Sequence, residues 1–135
     1  MANTFKTIIL PYLKDTNLYG NIYFARYFEW QGVVREAFLY ECLNNQLNLL
    51  NDYILVTKSA SIDYKKPAYA FQKILATLNT HKIKIYSFDL IINFYIDNDL
   101  ISEGKQTIVF TDKKGKLIII PEVIKSIAQE FLIDR

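Results

Sequence analysis

The 135-residue chain is short of the residues that usually cross-link or punctuate a small protein. Cysteine occurs once, at Cys42, so no disulfide can close within the chain. Near the end of an apolar helix it reads as a packing residue, and a reducing, cytoplasmic location is the expectation. Histidine also occurs once, at His81, which excludes a multi-histidine metal centre. No G-x-S-x-G is present either, and His81 is expected in a turn between two strands, which argues against a serine triad. No metal and no cofactor is therefore expected. The four glycines, Gly20, Gly32, Gly104 and Gly115, are too scattered to form a phosphate-binding loop. With three prolines they exclude collagen-like and linker compositions and favour long regular elements. No 18-residue apolar run is present to span a bilayer, and Met1-Ala2-Asn3-Thr4-Phe5 lacks the pattern of a signal peptide, so no membrane partner is expected.

Charge of one sign is lacking as well. Sixteen cations against fourteen anions leave a net +2, too balanced for a protein that lives on nucleic-acid phosphates, and only Arg26, Arg35 and Arg135 are arginines. The distribution is nevertheless uneven. Lys58 to Lys84 holds six lysines against Asp63, whereas Ile85 to Asp112 holds five acids against Lys105. A phosphate-bearing ligand, an acidic protein or a solvated sheet face would each account for the basic segment.

What the chain has in plenty is apolar and aromatic surface. Hydrophobic types make up 51% and aromatic types 15%, and the 19 isoleucines favour strands, so a dense core is expected in one domain over residues 1–135. Thr4 to Leu13 reads as a strand leading into a polar loop that ends at Gly20. From Ile22 to Leu43 the period becomes helical: Tyr23, Tyr27, Trp30, Val34 and Phe38 recur at three-to-four-residue spacing, with Asn21 as the expected N-cap. Phe24, Phe28, Val33, Ala37 and Leu39 occupy much of the remaining circumference, which predicts a helix buried on most sides. After a polar linker, Asn44 to Asp52, four strands are predicted, over Tyr53–Tyr64, Phe71–Thr80, Ile83–Ile96 and Leu100–Thr111. In the third, Tyr86, Phe88, Leu90, Ile92, Phe94 and Ile96 share one face, while Ile83, Ile85, Ile91 and Tyr95 are expected to stay exposed on the other. Asp97-Asn98-Asp99 and Asp112-Lys113-Lys114-Gly115 read as tight turns, and Pro121-Glu122 opens a terminal helix reaching Phe131. The order predicts an α+β domain in which a curved antiparallel sheet surrounds one long helix.

The stretch from Asp15 to Glu36, DTNLYGNIYFARYFEWQGVVRE, carries most of the functional information. It resembles the hot-dog-fold acyl thioesterases of the 4-hydroxybenzoyl-CoA thioesterase group. Within that group it is most similar to the enediyne polyketide thioesterases, whose D-T-N-x-x-G-N-V-Y-F and Y-x-x-W-Q-G-x-x-R-E stretches it nearly reproduces. A weaker likeness extends to Ile62-Asp63-Tyr64-Lys65-Lys66-Pro67. The resemblance implies the hot-dog fold and hydrolysis of an acyl or polyketide thioester carried by acyl carrier protein or coenzyme A. It also implies a dimer or tetramer with sites at the dimer interface.

Many hot-dog thioesterases carry an aspartate where this chain has Asn17, and an amide cannot act as general base or carboxylate nucleophile. The enediyne subgroup shares the asparagine, which implies that Asn17 and Arg35 hold the thioester and water. Tyr27, Gln31 and Arg35 fall on one helix stripe, and an arginine on so apolar a helix needs a partner or a polar cavity. Arg35 either serves the site or pairs with an acid such as Glu29 or Glu36. Tyr27 either packs or contacts substrate. Glu36 orients Arg35, supports a subunit interface or acts as base. Backbone N–H groups of Tyr23 and Phe24, at the helix N-terminus, are the expected oxyanion donors. Gly20, Lys65 and Lys66 complete the substrate-binding set, the lysines facing an acidic carrier or nucleotide phosphates. The other readings are a non-catalytic acyl-binding protein and, less favoured for want of a placed histidine, a dehydratase or hydratase on the same fold.

Overall fold

A computed structural model describes residues 2–44, 48 and 51–134. The elements are β1 (Phe5–Ile9), a 3-10 turn (Leu13–Asp15), α1 (Phe24–Cys42), β2 (Ile54–Tyr64), β3 (Ile74–His81), β4 (Ser87–Ile96), β5 (Asp99–Thr111) and α2 (Glu122–Glu130). All five strands join one sheet in the order β1-β3-β4-β5-β2, every neighbour antiparallel. The period-two face of β4 turns inward as expected, with Phe88, Leu90, Ile92 and Phe94 all buried. They meet the α1 stripe of Tyr27, Trp30, Val34 and Phe38, and the Phe38 ring lies edge-on to Phe131 just beyond α2.

Boundaries differ where local pattern is silent about pairing. β1 ends at Ile9 and not Leu13, because its partner β3 begins at Ile74, opposite Ile9. His81 ends β3, opposite Asp89, and does not sit in a turn. The third predicted strand starts at Ser87, since Lys82 adopts φ 48° and the next residues form the connection, leaving Tyr86 exposed. Ile91 is buried, and Ile83 and Tyr95 are half-buried; of that group Ile85 alone is exposed. The expected linker falls largely on residues 45–47, 49 and 50, outside the described set.

The β4–β5 turn is as predicted: Asp97 and Asn98 both take positive φ, 48° and 70°, the backbone of a two-residue hairpin whose twist matches its strands. The helix departs from expectation. One stripe of α1 is buried, but Phe24, Phe28, Val33 and Tyr40 are exposed, because the sheet covers a single side of the helix in this chain. Nor does Asn21 cap it; Tyr23 holds that position, with no side-chain hydrogen bond.

Candidate active site at the helix N-terminus

The polar loop before α1 is built on Asp15. Its buried carboxylate accepts the Tyr12 N–H at 2.9 Å and the Lys14 ammonium at 2.9 Å, and Arg26 lies 3.6 Å away. Burial favours the neutral acid, but the Tyr12 hydrogen bond and the two cations outweigh it, so the carboxyl titrates below its ordinary value. Its own carbonyl accepts the Tyr23 N–H at 2.9 Å. Tyr23 is therefore not an unpaired oxyanion donor, because that N–H closes the loop onto the helix. Phe24, the first residue of α1, has an N–H without an intrahelical acceptor.

Two residues on, Asn17 forms a tight turn: its side-chain carbonyl accepts the Tyr19 N–H at 2.9 Å, and its backbone carbonyl accepts the Gly20 N–H at 3.1 Å. With the Oδ1 so engaged, the Nδ2 is left as the amide's donor end. Gly20 takes φ 87°, a conformation that side-chain-bearing residues avoid, which gives it a conformational role in the turn. It does not line the cleft beside it.

That cleft, about 330 Å³, is lined by Asn17, Asn21, Ile22, Phe24, Tyr27, Tyr64, Lys65, Lys66 and Pro67. It unites the loop, the first turn of α1 and the end of β2. Tyr64, to which the sequence alone assigns no role, donates its hydroxyl to the Phe24 carbonyl at 2.7 Å and places its ring edge-on to Tyr27 with centroids 5.0 Å apart. Its place within the Ile62–Pro67 pattern was the only signal for it. The Tyr27 phenol is pushed up to about 12, first by burial and then by Tyr64. It stays protonated at neutral pH, so it can donate a hydrogen bond but supplies no base. Among the described residues no aspartate or glutamate lines this cleft. Lys65 and Lys66 lie at its mouth, where both backbone N–H groups donate to the Ile101 carbonyl.

Arg35 lies elsewhere. Eight residues beyond Tyr27, about 12 Å along the helix, it reaches the edge strand β2 and does not line the cleft. Its guanidinium donates to Thr57 Oγ1 at 2.7 Å and Gln106 Oε1 at 3.0 Å, and burial is the main reason its pKa is lowered. The partners are neutral, so an ion pair with Glu29 is not formed: Glu29 bonds Arg26 instead. Glu36 is exposed and acts on Arg35 only as a nearby charge. Gln106 continues the network by donating to Gln31 Oε1 at 3.0 Å, and Gln31 donates to the Ser61 carbonyl at 3.3 Å. Gln31 is fully buried over Gly104, where an added Cβ would overlap its amide. Among the described residues no cluster of three or more metal-ligating side chains occurs, and no helix is long and apolar enough to cross a membrane.

Comparison with known proteins places this architecture. The profile of the Thioesterase-like superfamily matches residues 12–128. Among solved structures, the Dynemicin thioesterase superposes with a TM-score of 0.90 at 20% identity, covering 98% of this chain and 100% of that one. Slr0204, a 1,4-dihydroxy-2-naphthoyl-CoA thioesterase from Synechocystis, gives 0.85 at 20% identity, with 95% and 97% covered. BH1999 gentisyl-coenzyme A thioesterase gives 0.81 at 18% identity, with 92% and 98% covered. No curated protein matches significantly by sequence. The superfamily match spans most of the sequence and the α+β architecture is that of its hot-dog neighbours, so the chain belongs to the Thioesterase-like superfamily and has the hot-dog fold.

Proposed function

We propose that this protein hydrolyses acyl thioesters at the cleft before α1, taking the acyl group from the phosphopantetheine arm of an acyl carrier protein or of coenzyme A. The observation that carries the reading is the convergence of Asn17, Phe24 and Tyr27 on one cleft with lysines at its mouth. The Asn17 amide, the Phe24 N–H and the Tyr27 hydroxyl are neutral donors, suited to the oxygen that gains charge when water attacks the carbonyl. Water adds to the acyl carbon and the C–S bond breaks. The products are a carboxylic acid and a thiol, the water proton ending on the thiolate. A thioester carbonyl is already electrophilic and a thiolate leaves readily, so positioning and oxyanion stabilisation suffice without a strong base. Lys65 and Lys66 face the phosphate of the arm or the acids of a carrier.

Arg35 and Glu36 belong in this reading to a site completed by a second protomer. β2 is a sheet edge with exposed Ile54 and Val56, and edge-to-edge pairing of two copies covers it while bringing the neighbour's Arg35 region toward the cleft. Likeness to thioesterase structures and superfamily membership support the reaction class. The test is thiol release from a panel of acyl-carrier and acyl-CoA thioesters of graded chain length. Release above the uncatalysed rate is expected, and none on any member would remove the enzyme reading. The lack of a carboxylate in the cleft favours a second reading, a protein that holds an acyl ligand without turnover. An intact acyl ligand retained through purification, seen by mass spectrometry, together with no thiol release would select it.

A further inference from the structure

The basic segment splits in the folded chain. Lys65 and Lys66 go to the cleft, whereas Lys58, Lys82 and Lys84 gather with the distant Lys105 on the sheet face opposite α1. These four lysines, with Ser59, Ser87, Thr107 and Asp89, line a depression of about 240 Å³. We propose that this depression is a binding site for a diphosphate-bearing ligand, separate from the thioester cleft and independent of whether thioesters are hydrolysed.

The backbone is arranged to put these groups together. In a regular strand Lys58 and Ser59 would point to opposite faces. The register of β2 against β5 slips between Thr57 and Ser59, and this bulge lets both side chains line the same depression. Lys82 holds the left-handed φ of 48°, uncommon for a lysine, in the connection that also supplies Lys84. Ser59, Thr107 and Asp89 form one cross-strand row. Among the described residues none of the four lysines makes a salt bridge within the chain. The one acid present, Asp89, is buried and its carboxylate accepts the Thr107 hydroxyl at 2.7 Å. Four ammonium groups against one carboxylate give this concave site a formal charge of +3. Lysines act as point charges on phosphate oxygens, and the Ser59 and Ser87 hydroxyls add neutral donors, so two adjoining phosphates fit better than one carboxylate.

The experiment is calorimetric titration of the full chain with inorganic pyrophosphate, ADP and coenzyme A at fixed ionic strength, with sulfate as the control anion. Pyrophosphate should bind, and sulfate should bind at least tenfold more weakly. Lys84→Gln and Lys105→Gln, both at exposed positions, should each weaken pyrophosphate about tenfold, while Tyr64→Phe at the cleft should leave its affinity unchanged. ADP or coenzyme A binding that needs the same two lysines identifies a nucleotide as the source of the diphosphate. Equal effects of sulfate and pyrophosphate, or affinity unchanged in both lysine variants, would each overturn the proposal.

Discussion

In the proposed reaction, Asn17 and Tyr27 are the side chains on which the chemistry turns. Asn17 holds its turn through the carbonyl oxygen and leaves the amide nitrogen for the cleft, so its two ends can be tested apart. Asn17→Asp keeps the acceptor for the Tyr19 N–H but removes the donor. We expect it to match the parent in thermal stability while thiol release falls about 10²–10³-fold, the usual loss for one oxyanion donor. Retention of the parental rate would show that a carboxylate serves equally and that the donor is not needed. Tyr27 makes a pH prediction. Its folded pKa of about 12 exceeds the ordinary 10.0, so the folded state retains a proton that the unfolded chain releases. The resulting stability is complete below pH 10.0 and is lost as pH rises toward about 12. Urea unfolding across that interval should show a steeper decline for the parent than for Tyr27→Phe. Below it, the two should share the same pH–rate shape, because a protonated phenol supplies no base.

Helix α1 and strand β5 are joined by a glycine. Gln31 enters the sheet at Gly104, where a Cβ would overlap the amide and lie 2.8 Å from the Ile92 carbonyl. Gln31 is the link between the Ser61 carbonyl and Gln106, and Gln106 in turn accepts from Arg35. Gly104→Ala should therefore cost about 1–3 kcal/mol through overpacking, measured by chemical denaturation. It should also displace Arg35, which Gln31→Leu would test from the other side. If Gly104→Ala leaves both stability and turnover unchanged, the α1–β5 contact has room for a methyl group and does not position Arg35.

Whole-molecule architecture decides whether the site is shared. A free β2 edge, exposed Ile54 and Val56, and an apolar outer face on α1 all ask for cover, and pairing of two copies is the simplest supply. A two-fold assembly allows a decisive mixing experiment. Asn17→Ala and Arg35→Ala homodimers should each be nearly inactive. After unfolding, equal mixing and refolding, half of the dimers are mixed and each holds one intact composite site, so about a quarter of the parental activity should return. No recovery would place Asn17 and Arg35 in the same chain's site. Light scattering on the same samples should report a dimer or tetramer, and a monomer would remove the shared-site reading.

Local pattern carried the succession of elements, since the periods of α1 and β4 and the turn at Asp97-Asn98 depend only on residues near in sequence. The same locality made the Asn17 loop and Tyr27 legible as parts of one motif. Pairing between distant segments is different in kind, because a strand's alternation shows which face is apolar and not which strand lies beside it. Only the tertiary structure set β2 at the edge, drew Tyr64 onto Phe24, and gave Arg35 amide and hydroxyl partners where the sequence suggested acids. It also divided one run of lysines between two faces of the sheet. Those outcomes follow from strand order and a single bulge, features fixed by the sum of many cross-strand contacts and by no short stretch of residues.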